Sequence, residues 1–397
     1  MLPPPLHTRC IGSLAEIDAA AWDACANPSG TSAEGERFNP FVSHAFLSAL
    51  ERSGSVGGAT GWLPAHVVVE DAAGRLAAAA PSYLKTHSLG EYVFDQGFAE
   101  AYARAGGRYY PKLQVAAPFT PVTGSRLLVA SDAPTGAREA LIAGLRALRR
   151  AASASSIHVT FATQAEAQGL EDAGFLLRTG EQFHFVQQGY RDFDDFLAAL
   201  SSRKRKTLRR ERQDALANGI SVHWLTGSDL TEEVWDAFFM FYMETGSRKW
   251  GRPYLTREFY SLVGEKMADR ILLVMAKRAG RWIAGAINFI GSHTLFGRHW
   301  GAIEHHPFLH FELCYYQAID YAIAHKLPFV EAGAQGEHKI SRGYMPTTTY
   351  SAHYIADPGL RRAIADYLVR ERAYVAAVGT ELAATAPYRK DLVIDPR

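Results

Sequence analysis

The sequence predicts an α/β protein of two tandem lobes, residues 1–190 and 191–397, each a mixed, mainly antiparallel sheet flanked by helices. Three observations predict this. The 397 residues exceed one ordinary core and suit two domains of about 200 residues each. A composition of 48% hydrophobic and 21% charged residues is that of a globular chain and excludes general disorder. Both halves also run through one order of patterns: a strand hairpin, a further strand, a helix and a closing strand.

In the first half, residues 17–25 carry a short helical pattern, and Phe46, Leu47 and Leu50 form a helical stripe ended by Gly54. Strands at 66–70 and 75–84 flank the turn Asp71-Ala72-Ala73-Gly74, and 109–117 reads as another strand. A Pro/Gly loop at 118–126 leads to a helix at 133–152, a strand at 157–161, a short helix at 164–173 and a strand at 183–187. The second half opens on a helix at 194–218 with a break at Ser201-Ser202, followed by a strand at 221–225 and helical patterns at 231–245 and 256–267. Strands at 271–277, 282–290 and 294–300 are joined by Arg278-Ala279-Gly280 and Gly291-Ser292. A helix at 307–325 shows the stripe Leu309, Leu313, Tyr316, Ile319, Ile323 of a buried face. The strand at 329–332 enters a Gly-rich loop, and the tail from residue 359 reads as a helix.

The three cysteines, Cys10, Cys25 and Cys314, are scattered, which argues against a disulfide framework or a Cys-based zinc site and fits a reducing compartment. The N-terminus shows no basic segment followed by an apolar run, and no apolar stretch is long enough to span a bilayer. The expectation is a cytoplasmic protein without a transmembrane segment.

The densest polar cluster runs from Glu331 through Gly333, Gln335, Gly336, Glu337, His338, Lys339, Arg342 and Gly343 to Tyr344. It follows the carboxyl end of a strand, where open α/β sheets place ligands, and its glycines let backbone approach a ligand closely. Residues 203–212 hold seven Lys/Arg and one Glu, so the rest of the chain carries a net −5. Arg203, Lys204, Arg205, Lys206, Arg209 and Arg210 read either as a solvated helix or as a phosphate or nucleic-acid footprint. His306 and His310 stand four apart on a helix with His305 and Glu304 nearby, but no H-E-x-x-H pattern surrounds them, so no metal is assigned. Asp95, Arg108 and Lys112 accompany the aromatic-rich stretch of the first half, which reads as a groove for an elongated substrate.

The basic helix from Ser201 to Arg210, followed by Gly219-Ile220-Ser221-Val222, resembles the opening of the second lobe of the Fem-type peptidyltransferases. Phe41-Val42-Ser43-His44, Tyr109-Tyr110-Pro111-Lys112-Leu113-Gln114, Arg248-Lys249-Trp250-Gly251-Arg252-Pro253-Tyr254 and Glu331 through Lys339 are similar to the FemAB-like branch of N-acyltransferases, over about residues 38–390. The resemblance implies two GNAT-like (N-acetyltransferase-like) lobes and transfer of an acyl or aminoacyl group to an amine on a small-molecule or peptide acceptor. It implies no permanently bound cofactor or metal, and a donor that is aminoacyl-tRNA or, alternatively, acyl-CoA. A coiled-coil insertion of the Fem enzymes is absent, and Glu337-His338-Lys339 stands where they carry a Phe-Lys pair. A non-catalytic module that binds a peptide or amino sugar is the reading from another class.

Amine acylation needs a neutral amine, an oriented carbonyl and positive charge for the oxyanion. On the resemblance, Lys339 with Arg342 takes the oxyanion or an acceptor anion, and Glu331, Glu337 or His338 takes the amine proton. Asp95 holds the acceptor ammonium. Arg248, Lys249, Trp250 and Arg252 line the acceptor channel, with Gln335, Tyr344, Arg298 and Lys112 as further substrate-binding residues.

Overall fold

The computed structural model describes residues 5–28, 38–250 and 253–392, without the side chains of 248–250. Packing divides the chain into two units, Met1–Gly180 with Thr349–Val375 and Glu181–Thr348 with Ala376–Arg397. A single cut between residues 190 and 191 therefore misses the return of residues 349–375 to the first unit.

The first unit contains β1 (His7–Ile11), β2 (Trp62–Pro64), β3 (His66–Glu70), β4 (Leu76–Ala80), β5 (Ser82–Lys85), β6 (Lys112–Val115), β7 (Leu128–Val129) and β8 (Ser156–Ala162). Strand β9 (Leu176–Val186) starts in this unit and ends in the second, which adds β10 (Ile220–Leu225), β11 (Ile271–Arg278), β12 (Arg281–Ile290), β13 (Thr294–Ala302) and β14 (Phe329–Glu331). Strand β15 (Met345–Ile355) leads back to the first.

In the first unit β1-β3-β4-β7 form an antiparallel sheet, and β15-β8-β6-β5-β2 run side by side with only β6 and β8 parallel. Helix Ala137–Ala151 repeats its apolar residues at Leu141, Ile142 and Leu145 and packs them over β3 and β4. In the second unit the order is β10-β11-β12-β13-β14-β9, with β13 and β14 parallel and the rest antiparallel. Helix Glu232–Trp250 lies against β12 and β13, and Gly301 is what admits it, because a Cβ there would overlap the Phe241 carbonyl.

The α/β class and the strand hairpins stand as expected, and the break at Ser201-Ser202 is real: helices Phe193–Ala199 and Ser202–Ala215 meet there. Strands β1, β2, β7 and β15 and helix Gln96–Arg104 lie outside the sequence reading. The helix expected at 307–325 is α-helical at Leu309–Phe311, π-helical at Glu312–Tyr316 and α-helical again at Gln317–Ala324. A π turn inserts a residue, shifts the faces of a helix and is frequent at functional sites. Among the described residues no helix is long and apolar enough to cross a membrane.

Candidate functional site

The second unit opens where its only parallel pair of described strands ends. Strands β13 and β14 pair over Thr294–Phe296 and Phe329–Glu331, and β13 then continues to Ala302, past the last residue of β14. The β12–β13 register shifts between Ile287/Asn288: Ile287 faces His299 and Asn288 faces Gly297, so Arg298 is the extra residue of a bulge. Bulges beside active sites re-aim a side chain. From β14 the chain turns through Gly333 and Gly336, at φ 80° and 117°, into a short 3-10 helix, Glu337–Arg342. L-residues avoid this left-handed region, so glycine fixes the turn.

Lys339, on that short helix, is 2% exposed, and its Nζ donates one hydrogen bond, to Gly333 O at 3.0 Å. Burial is the main force on its ammonium, opposed by Cys314 and assisted by the charge of Arg298, and together they push it down to about 8. Glu331, the last residue of β14, stands 4.0 Å from His184 Nε2. Burial pushes His184 down to about 3, with Lys339 adding to the effect, so the imidazole is neutral and the contact is not an ion pair at neutral pH.

The loop is held from below. Arg342 is buried; its Nη2 donates to both Glu211 carboxylate oxygens at 2.9 and 3.0 Å, its Nη1 donates to His338 O at 2.9 Å, and its guanidinium lies 3.5 Å over the Phe311 ring. Tyr344 is buried and donates to Tyr315 O at 3.3 Å. Gln335, Glu337 and His338 are exposed, with His338 Nε2 2.9 Å from the Tyr315 hydroxyl. The structure thus brings Lys339, Glu331, Glu337, His338, Gln335, Arg342, Tyr344 and Arg298 into one unit. Arg252 lies outside the described residues, as do the side chains of Arg248, Lys249 and Trp250.

The basic helix Ser202–Ala215 packs on the first turns of the segment that begins at Leu309. Its buried side holds that segment: Arg212 donates to Glu312 at 2.8 and 3.1 Å and to Asp320 at 2.7 Å. Arg203, Lys206, Arg209 and Arg210 are exposed, while Lys204 and Arg205 are half-buried. Arg209 pairs with Asp194 at 2.8 Å and Arg210 with Asp214 at 3.5 Å, whereas Arg203, Lys204 and Lys206 make no ion pair among the described residues.

Asp95 and Lys112 belong to the first unit, in a separate and closed cluster. Lys112 is 1% exposed; its Nζ donates to Asp95 Oδ2 at 2.6 Å and Ser88 Oγ at 2.9 Å and lies 3.2 Å from Glu91 Oε1. Tyr109 donates to Asp95 at 2.8 Å, His158 Nε2 is 2.7 Å from Ser156 Oγ, and the Nδ1 atoms of His158 and His353 are 2.7 Å apart. Burial is the largest single influence and would raise the Asp95 carboxyl, but Lys112, His158 and Ser88 together outweigh it and hold the carboxyl well below the usual range.

The sequence profile of the FemAB-like family, described as peptidoglycan biosynthesis/recognition, matches residues 13–390. The chain belongs to the FemAB-like family. Its fold is that of FemX, at a TM-score of 0.52 and 12% identity over 90% of this chain and 100% of that one. It is similar also to the C-terminal domain (DUF2156) of a putative lysylphosphatidylglycerol synthetase from Agrobacterium fabrum, at 0.51 and 11% over 91% and 98%. A conserved protein of unknown function from Bacteroides thetaiotaomicron scores 0.51 at 11% identity over 89% and 100%. None of the curated proteins matches the sequence. As a FemAB-like protein, the chain is a transferase of acyl or aminoacyl groups connected with peptidoglycan.

Several residues of this FemAB-like site lay outside the sequence reading. Glu211 is the lone acid in a basic run and gives no sign that it faces Arg342. Trp300, Phe308 and Phe311 line one pocket, Tyr315 bonds His338, and His184 stands beside Glu331. The histidines weighed for a metal have other roles: His306 binds Glu304 at 2.9 Å, and His310 packs on Trp300 with ring centroids 5.0 Å apart.

Proposed function

We propose that this FemAB-like protein transfers an aminoacyl group from the terminal ribose of an RNA to a primary amine of a peptide acceptor, a peptidoglycan precursor by the family's description. The observation that carries the reading is Lys339. A buried ammonium with one carbonyl acceptor keeps donor capacity in a place poor in water, where it is worth far more than in solvent. With a value of about 8 it is mostly charged at neutral pH, which suits an oxyanion partner and not a base.

The acceptor amine attacks the ester carbonyl, and the carbonyl oxygen takes the negative charge beside Lys339. Glu331 accepts the proton that the amine loses. The carbon–oxygen bond to the ribose then breaks, and the departing hydroxyl oxygen receives that proton. Arg298 raises the local positive potential, Arg342 and Tyr344 hold the loop in place, and Gln335, Glu337 and His338 form its rim. The basic helix supports an RNA donor, since its unpaired cations offer phosphate contacts. An RNA-linked donor also implies a cytoplasmic setting.

The test is turnover with aminoacyl-RNA and with acetyl-CoA, using wild-type protein and Lys339→Ala. The expected result is activity with the RNA donor alone and a loss on the order of 10²–10³ in the variant. Activity with acetyl-CoA alone would move the donor to the thioester class. Failure to bind either donor would favour the non-catalytic module.

A further inference from the structure

The short helix that carries Lys339 does not hold itself in place. It is a 3-10 turn, Glu337–Arg342, set between Gly336 and Gly343, whose φ angles are 117° and 92°. Hydrogen bonds in 3-10 geometry are poor, and such helices are used in short pieces. Glycine at either end, in a backbone region it enters freely, adds no stiffness. The position of Lys339 therefore depends on what grips the turn from outside.

One grip comes from the helix Ser202–Ala215. Its buried side is Leu208, Glu211 and Ala215, at the spacing of one helical face, and Glu211 is the single acid among residues 202–212. Arg210 and Arg212 flank it in sequence, yet its carboxylate serves the loop. Arg342 Nη2 donates to its two oxygens at 2.9 and 3.0 Å, and the Tyr316 hydroxyl donates to Oε2. Arg342 Nη1 in turn donates to His338 O at 2.9 Å and to Ser341 Oγ at 3.2 Å. The guanidinium thus spans the turn and brackets Lys339 between residues 338 and 342. Beyond the turn, Lys339 Nζ reaches Gly333 O at 3.0 Å.

Net stability does not account for such a pair. Taking a carboxylate and a guanidinium out of water offsets their attraction, and apolar residues of similar volume often serve the fold as well. What the pair supplies is a fixed position, because a buried guanidinium that leaves its carboxylate is left uncompensated. We propose that Glu211 is a positioning residue for the transfer: through Arg342 it holds the Lys339 ammonium where the donor carbonyl oxygen becomes charged. This rests on the reading of Lys339 given above and adds the residue, on a separate helix, that places it.

The experiment is a double-mutant cycle on the full-length protein with Glu211→Gln and Lys339→Met, singly and combined. Turnover is measured with whichever of aminoacyl-RNA and acetyl-CoA the wild type uses, and urea midpoints establish that each variant is folded in the assay. Glu211→Gln should lower kcat by on the order of 10², the loss expected when a reacting group is misplaced by about 1 Å, and change KM by less than about twofold. In the Lys339→Met background the same substitution should cost nothing further, because its effect passes through the missing ammonium. Glu211→Asp keeps the charge and should recover part of kcat. NMR titration of isotope-labelled lysine needs no donor: in Glu211→Gln, Lys339 should leave its depressed value of about 8 and move towards about 10.4 as the turn opens to water. Should Glu211→Gln not fold, Glu211→Met with Arg342→Met, which buries no unpaired charge, takes its place in the cycle.

A wild-type kcat in Glu211→Gln, a full additional loss in the Lys339→Met background, or an unshifted Lys339 titration would each overturn the proposal and leave the reading of Lys339 standing. Turnover retained in Lys339→Met would remove that reading and the proposal together.

Discussion

Two buried lysines, one in each unit, differ in what surrounds them. Lys112 is in contact with two carboxylates and a hydroxyl; Lys339 meets one backbone carbonyl. Both are almost fully buried, so both bear the cost of removing an ammonium from water. In the first unit that cost is offset inside the protein, by Asp95, Glu91 and Ser88. Lys85 joins the same cluster, 3.4 Å from Glu91 and 3.6 Å over the Trp62 ring; burial pushes it down to about 7, with Glu91 opposing. In the second unit the offset is incomplete. A buried charge neutralised by carboxylates of the chain serves the fold, whereas one that meets only a carbonyl is ready for a partner that is not part of the chain.

The sharpest way to break the comparison is to neutralise each lysine. Lys112→Met leaves Asp95 buried without its main counter-charge, and stability should fall by about 3–5 kcal/mol in urea titration. Lys339→Met removes an ammonium that no carboxylate compensates, so the variant should unfold at the same or higher urea while turnover falls about 10²–10³-fold. If both variants lost stability alike, the two lysines would be equivalent and Lys339 would have no special claim on catalysis.

Turnover and stability respond to pH at opposite ends of the scale. Turnover that needs a charged Lys339 should fall as pH rises through about 8, approaching tenfold per unit above it. Lys339→Arg should lack this alkaline limb, because guanidinium does not deprotonate there. Stability moves on the other side. His158 is pushed down to about 3 and His353 well below its ordinary value, chiefly by burial, so the unfolded chain takes up their protons first. Stability therefore drops as pH falls below the unfolded value of about 6.5, by up to about 1.4 kcal/mol per pH unit for each imidazole. Asp95, held low, adds a further loss below the ordinary carboxylate value of about 3.9. Urea midpoints across this range should fall less steeply in His353→Leu than in the wild type; equal slopes would show that His353 does not titrate on unfolding.

The difference between the units also governed what the sequence could reveal. The loop from Glu331 to Tyr344 is local: its glycines, charges and strand-end position are contiguous, and the structure keeps them together. The Asp95–Lys112 pair is not local. It joins the cap of helix Gln96–Arg104 to the start of β6; the sequence put both residues in one aromatic-rich stretch, read as a groove, and gave no sign that they neutralise each other in a closed core. Strand β15 escaped because Pro346-Thr347-Thr348-Thr349 gives a polar start without apolar alternation, although its later residues pair with β8. The π turn at Glu312–Tyr316 leaves the apolar stripe nearly helical, so its periodicity conceals the widening. Phe308 drew no reading from the sequence, which does not reveal its left-handed backbone.

The basic helix carries both kinds of cation within one element, and the smallest prediction uses it. Arg212 is spent on Glu312 and Asp320, while Arg203 and Lys206 make no ion pair among the described residues. Replacing Arg203 or Lys206 by Gln should leave stability within about 0.5 kcal/mol, as for other exposed positions. Each should nevertheless weaken binding of a hairpin RNA with a single-stranded 3′ tail, and lower the salt slope by about one unit. A salt slope unchanged by either substitution would make the helix a solvated face, and the route by which RNA reaches Lys339 would then have to run over other surfaces of the second unit.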